Sequence, residues 1–457
     1  MTRLVVIGAG IAGLAAALDA TRRGAEVTVV ESAAEVGGKL TVSELAGIAV
    51  DEGAEAFIRR VPEALELVEQ LGRSDELVTP RPVPALVWAR GRLRAMPTAT
   101  VMGVPSDPNT LRGVLSDEEV ARVAEDAQLP GDPPGEDVSV GEWVQARVGA
   151  AVVDRLVDPL LAGVYAGRAR DLSLAATLPQ LPRDERSLLA AARRVVAPEP
   201  STDPIFATLT AGMGSLPGSV ATALTTAGAA IRTGRTVRRI ERTASGWRIV
   251  HGPTTEEQMI DADAVIVATP AAASARLLAD VAPAAAAELA AIDSASMGIV
   301  TLAWRNADVP TIDASGYLVP AVYGRPVKAV TFASRKWEHL SRPDLVVVRC
   351  SIGRAGEVAE LQRDDADLVT TAAEELRHHA GFTGVPIDSR VTRWGGALPQ
   401  YAVGHLGRVA RIRAAVAAVP GLAVCGATYD GVGIPACIRS AHAATAQLLG
   451  ATSPGAR

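Results

Sequence analysis

Apolar runs and periodic stretches divide the chain into blocks. Leu4-Val5-Val6-Ile7 is a continuous apolar run, which predicts a strand buried on both faces of a parallel sheet. A helical stretch follows through Arg23, Gly24 ends it, and Glu26-Val27-Thr28-Val29-Val30 predicts a second strand with Glu31 at its tip. Near the other end, the residues up to Cys425 predict a strand, and a glycine loop then opens a helix running to about Leu449. Between these ends, Thr236 to Ile240 predicts a strand opening an antiparallel meander through Trp247 to Val250 and Ala264 to Thr269. From about Ala85 to Ala197 the pattern changes from strands to helices. Ser116 with Glu119 and Ser139 with Glu142 form S-x-x-E capping boxes before apolar-periodic runs. The segment 129–135, with three prolines and two glycines, predicts the loop between them.

Length changes the picture first. With 457 residues the chain holds two or three domains, or one interleaved pair, and needs no disulfide or metal staple. A 48% apolar and 21% charged composition excludes a disordered tail protein. The formal net charge of −6 excludes a sequence-independent nucleic-acid binder. Only Lys39, Lys328 and Lys336 among the 45 basic residues are lysines. Cys350, Cys425 and Cys437 form no CxxC pair, a reducing-compartment pattern with no zinc site. His378 and His379 are adjacent, so on a helix they diverge by about 100° and read as a solvated surface. The 15-residue apolar run from Leu4 to Leu18 is short for a bilayer span. The expectation is a cytoplasmic protein with no transmembrane segment.

Between the first two predicted strands lies Gly8-Ala9-Gly10-Ile11-Ala12-Gly13, a GxGxxG. Gly8 suits the tight turn, Gly10 lets backbone approach a pyrophosphate, and Gly13 lets helix pack on strand. The helix N-terminus supplies free N–H groups and partial positive charge. Glu31, 18 residues after Gly13, can accept hydrogen bonds from ribose hydroxyls, which disfavours a 2′-phosphate and leaves NAD or FAD.

The double glycine Gly37-Gly38 before Lys39, and then Asp51-Glu52-Gly53-Ala54-Glu55-Ala56, separate those two. FAD oxidases of the amine-oxidase type carry a GG-basic segment and a glycine-acid loop near the flavin ring. The segment Gly426-Ala427-Thr428-Tyr429-Asp430-Gly431-Val432-Gly433-Ile434-Pro435 opens the last helix and offers N–H groups to a second part of the same cofactor. A site split between the two chain ends implies an interleaved fold.

The run Arg393-Trp394 to Pro399-Gln400-Tyr401-Ala402-Val403-Gly404-His405 resembles the RW…PQY.VGH signature of the protoporphyrinogen/coproporphyrinogen oxidase family. Lys39 and the GVGIP loop make it more similar to the Gram-positive coproporphyrinogen III oxidase branch. Gly163-Val164-Tyr165-Ala166-Gly167 with Leu172-Ser173, and Ser334-Arg335-Lys336-Trp337-Glu338-His339, agree. The likeness runs from about residue 3 to about residue 449. Arg168 departs from it, because many relatives have an acid after YAG.

The resemblance implies an α/β FAD-binding Rossmann-like domain of the glutathione-reductase/amine-oxidase type, interleaved with an α+β substrate domain and a helical insert. The expected bounds are 1–84, 205–270 and 390–457 for the FAD domain. The substrate domain takes 271–389 with contributions from 85–100, and the insert takes 101–204. It implies FAD contacts from Gly8, Ala9, Gly10, Ile11, Ala12, Gly13, Glu31, Ser32, Lys39, Gly53, Ala54, Glu55 and Ala56. It further implies contacts from the backbone of Val237 and from Trp394, Ala427, Val432, Gly433 and Ile434. No cysteine sits in a flavin-tethering motif, so FAD is expected to be non-covalent. The implied reaction is oxygen-dependent six-electron oxidation of coproporphyrinogen III to coproporphyrin III in haem biosynthesis, releasing hydrogen peroxide. The implied partners are the porphyrinogen, molecular oxygen and a transient contact with the next haem-pathway enzyme. Protoporphyrinogen IX oxidation is the alternative. A flavin amine oxidase is a more distant one, because a 3% aromatic chain is poor material for an aromatic cage. Arg90, Arg92 and Arg94 flank Gly91 in what reads as a hairpin, a candidate rim for propionates. Tyr165, Arg168 and His405 are further candidates, and no acid–base dyad is spelled out.

Overall fold

The structure is a computed structural model describing residues 1–197 and 203–450. Its first sheet is all parallel, in the order 230–232, 26–30, 3–7, 264–267, 422–424. Leu4 to Ile7 pair with Ala264 to Val267 on one side and with Val27 to Val30 on the other. Such strands have no solvent face, so Leu4, Val6, Val265 and Ile266 are all but fully buried. The helices Ile11–Arg22 and Ile434–Leu449, from opposite ends of the chain, pack together on this sheet. Thr445 Oγ1 donates to Ala16 O across that contact at 3.3 Å.

The antiparallel meander is Val237–Thr243, Gly246–His251 and Gln258–Ala262. Its third strand therefore precedes the expected one. Ala264–Val267 belongs to the parallel sheet, because four consecutive buried apolar residues find cover there on both faces.

A seven-stranded sheet forms the second body, in the order 388–399, 294–305, 345–352, 327–332, 316–318, 85–89, 92–95. One face packs on helix Asp365–Ala380. The pattern after Ala85 is not yet helical: Ala85–Ala89 and Arg92–Ala95 form a hairpin, and the short pairs 100–101 and 104–105 follow. Helices begin at Asp117. Ser116 caps that helix with a complete capping box, whereas Ser139 accepts from Glu142 N alone. The helices from 117 to 195 enclose their own core around Leu156, Val157, Leu161 and Leu172.

His379 is a correction to the sequence reading. It is buried against Trp88, with ring centroids 4.3 Å apart, and only His378 faces solvent. Its helix lies on the sheet, and position 379 falls on the covered side.

Candidate functional site

The first glycine loop divides its work among three residues. Gly8 has φ +105°, and a Cβ there would lie 2.9 Å from Ala268 O. At Gly13 a Cβ would lie 1.9 Å from Gly8 O, so helix and strand touch backbone to backbone. A Cβ on Gly10 would meet no protein atom within 4 Å. The first and third glycines thus serve packing, and the second borders open space at a helix N-terminus. The helix Ile11–Arg22 begins at Gly10 with no side-chain cap and no acid in its first turn. The same holds for Ile434–Leu449, which begins at Gly433. Two uncapped N-termini from the two chain ends leave their N–H groups and partial positive charge for an anionic ligand. This donor set and the open space at Gly10 fit a dinucleotide.

Glu31 Oε2 accepts from Ala9 N at 2.7 Å, and Oε1 accepts from Ala33 N at 2.8 Å and Ser32 Oγ at 3.0 Å. The carboxylate is thereby held at the edge of the glycine loop. Arg235 N donates to Glu31 O at 2.8 Å, so the start of the Val237 strand lies beside it. Val237 O already accepts from Arg276 Nη2 at 3.0 Å.

The loop of Gly53, Ala54, Glu55 and Ala56 is fastened by ions. Lys336 Nζ and Arg349 Nη1 both donate to the Glu55 carboxylate, and Arg349 Nη2 donates to Gly53 O at 2.6 Å. Burial pushes the Glu55 carboxyl up, but the two cations outweigh it and hold it down at about 2. Trp394 Nε1 donates to Glu52 O at 2.9 Å, and a Cβ on Gly53 would lie 1.8 Å from Lys39 O. Lys39 Nζ in turn donates to Ala397 O. Next to this loop, Asp51 accepts from Gly214 N at 2.8 Å and Met213 N at 3.1 Å, and burial pushes its carboxyl up to about 6.

In the C-terminal loop, Tyr401 OH donates to Ala427 O at 2.6 Å and accepts from Gly431 N at 2.8 Å. Val432, Gly433 and Ile434 follow directly at the helix start. The same segment grips the insert: Ser173 N donates to Tyr401 O, Gln400 Nε2 to Tyr165 O, and Gly404 N to Asp137 Oδ2. His405 stacks on Tyr401 at 3.9 Å and is buried, and burial pushes its imidazole down to about 4. Tyr165 is pushed up to about 12 by burial. Both are therefore neutral over the physiological range. The PQY.VGH run is a clasp between cofactor loop and insert.

The structure thus brings 8–13, 31–32, 39, 53–56, 394, 427 and 432–434 into one continuous set of contacts. It does not bring the arginine hairpin there. Arg90 (φ +52°) and Gly91 (φ +75°) form the turn, so Arg90 is no strand residue, and Arg92 and Arg94 lie on the outermost strand. Four strand spacings separate that strand from the strand of Arg349, about 19 Å. Arg168 pairs instead with Glu357, which also accepts from Arg354 Nη1 at 3.2 Å. Glu357 lies in the turn that follows the 345–352 strand. Arg349 and Arg354 carry this architecture without any sequence signal, because their partners lie far away in the chain or follow only from the fold. Lys328, buried with its Nζ on Gly353 O at 2.7 Å and pushed down to about 7 by burial, is another such group. No helix among the described residues is long and apolar enough to cross a membrane.

Comparison with known proteins agrees in extent and kind. The chain is 36% identical to a coproporphyrinogen III oxidase of Mycobacterium bovis, covering 97% of this chain and 96% of that one. It is 32% identical to the coproporphyrinogen III oxidase of Bacillus subtilis, covering 98% and 97%. Among solved structures it superposes on a putative protoporphyrinogen oxidase from Exiguobacterium with a TM-score of 0.85 at 30% identity, covering 96% and 97%. UDP-galactopyranose mutase, at 13% identity and TM-score 0.75, shares the fold alone. The model of the flavin containing amine oxidoreductases matches residues 11–449, from the first helix of the split glycine cradle to the end of the last, and the chain belongs to that family of flavin-dependent oxidoreductases.

Proposed function

We propose that this protein oxidises coproporphyrinogen III to coproporphyrin III, using oxygen and non-covalently held FAD and releasing hydrogen peroxide, as a step of haem biosynthesis. The observation that carries the flavin part is the open space at Gly10 between two uncapped helix N-termini. The substrate part is carried by the activity for which relatives that match the chain almost end to end are named. Non-covalent binding is supported by the thiols: Cys350 and Cys425 are fully buried, burial pushes both up, and Cys437 is pushed up to about 11. The bound flavin supplies hydride acceptance from a meso carbon and reoxidation by oxygen.

The chain's own residues bind and orient. Gly8, Gly10 and Gly13 with the Ile11 helix hold the pyrophosphate, and Glu31 holds the ribose. The Gly53–Ala56 loop, Trp394 and the 432–434 turn enclose the ring. Neither His405 nor Tyr165 is poised as a base near neutral pH, since burial holds the His405 imidazole down at about 4 and pushes the Tyr165 hydroxyl up to about 12. Aromatisation of the macrocycle supplies the driving force, so loss of an N–H proton to solvent suffices. A cytoplasmic site of action and a transient contact with the next enzyme of the pathway belong to the same proposal.

The test gives the purified protein each porphyrinogen in air and follows porphyrin fluorescence and peroxide. Turnover of coproporphyrinogen III with higher kcat/KM than protoporphyrinogen IX is expected. The reverse order would establish protoporphyrinogen oxidation, and turnover of neither would overturn both.

A further inference from the structure

Lys39 stands where the cofactor segments meet. Its main chain is at the pyrophosphate end: Gly37 N donates to Ala9 O at 2.8 Å, and a Cβ on Gly38 would lie 3.3 Å from Gly10 Cα. Its carbonyl backs on Gly53. Its side chain runs the other way, to Ala397 O, three residues past Trp394, and its charge acts on the Cys437 thiol in the first turn of the last helix. The ammonium therefore leaves the phosphate cradle, which backbone N–H groups already serve, and reaches the end where the ring is enclosed. Among the described residues no carboxylate forms an ion pair with it, and burial, which lowers its pKa, outweighs the nearby thiol. Glu55, by contrast, holds two cations of its own.

Two electrons and one proton taken up by a neutral flavin ring leave one negative charge on it. A cation without a counter-ion in a water-poor site interacts strongly with such a charge, and the uncapped N-terminus of the Ile434 helix acts in the same sense. We propose that the Lys39 ammonium is the group that stabilises the negative charge of the reduced ring and so sets how readily this flavin accepts electrons. The proposal rests on the flavoprotein reading above.

The experiment uses holoenzyme reconstituted at saturating FAD, as wild type, Lys39→Arg, Lys39→Met and Lys39→Gln. Two readouts avoid turnover: the equilibrium of two-electron reduction against a reference dye, and the affinity for sulfite, whose addition also leaves negative charge on the ring. A charge within about 4–6 Å shifts an ionisation by about one unit or more. Lys39→Met is therefore expected to disfavour reduction about tenfold or more, about 30 mV for a two-electron couple, and to weaken sulfite binding in step. Lys39→Arg is expected to retain both. Lys39→Gln keeps a donor for Ala397 O without the charge and is expected to behave as Lys39→Met. Unchanged reduction and sulfite affinity in flavin-bearing Met or Gln variants would overturn the proposal and leave Lys39 a latch on the 397 carbonyl. Wild type that binds no flavin would instead overturn the flavoprotein reading itself.

Discussion

The glycine loop of residues 8–13 and the loop of residues 53–56, both proposed here to border the flavin, are held by opposite means. The first is held chiefly by backbone: Gly8 lies against Ala268 O and Gly13 against Gly8 O, Gly10 faces space, and the one carboxylate, Glu31, accepts from Ala9 N. The second is held by a carboxylate between a partly buried lysine at the end of a short helix and a buried arginine on a strand of the other sheet. The backbone cradle is mostly local, a strand, a turn and a helix within 20 residues, with the Ala268 strand end packed against it. The ionic clasp is long-range, joining residue 55 to 336 and 349. A local cradle tolerates nothing at its contacts and anything that fits at its opening, whereas a clasp fails by leaving charges stranded.

Substitutions sharpen that contrast. Gly13→Ala drives a Cβ to 1.9 Å from a carbonyl oxygen. A cost above about 4 kcal/mol is expected, enough to abolish soluble folded protein in an expression and circular-dichroism test. Gly10→Val acts at the opening. Gly10 has φ −69° and ψ 173°, which any residue adopts, so the apoprotein is expected to keep its urea midpoint while retaining no flavin absorbance. If both variants fail to fold, the division of labour between the glycines is wrong.

Glu55→Gln breaks the clasp and leaves Lys336 and Arg349 facing each other. A loss of about 3–5 kcal/mol in urea unfolding is expected, the range for removing one partner of a buried pair. Its pH signature has a definite sign. The folded carboxyl lies at about 2 against an ordinary 4.5, so its stabilisation is present above 4.5 and is lost as pH falls towards 2.

Asp51 titrates oppositely. Burial raises it to about 6 from 3.8, so the folded state binds the proton more tightly. Its contribution is full below about 3.8 and is lost as pH rises through 6. Asp51→Asn is expected to flatten the fall in stability between these values, and an unaltered slope would assign the fall to other groups. The smallest effect is expected for Tyr401→Phe, which leaves Gly431 N–H and Ala427 O unpaired. About 1 kcal/mol and a several-fold weaker hold on FAD should appear in unfolding and fluorescence titrations.

The motifs were legible to the extent that their geometry is local. The GxGxxG, Glu31 and the GVGIP helix start stand where the sequence pattern puts them, because turn and helix-cap chemistry is settled by immediate neighbours. The arginine hairpin was legible as a hairpin, whereas its place in the sheet was not. Turn residues specify a hairpin, but strand order decides that it lies at the sheet edge opposite Trp394. His379 was misread for the same reason, since nothing in its own stretch says that Trp88 covers it.

By itself, then, the sequence determined the cofactor cradle at both chain ends and the interleaved course that joins them, because backbone conformation and helix termini follow from residues a few positions apart. Only the tertiary structure decided which charges meet: Glu55 with Lys336 and Arg349, Arg168 with Glu357, and Lys39 with no acid among the described residues. Ion pairing depends on distance and burial after folding, and neither is written in the spacing of the residues along the chain.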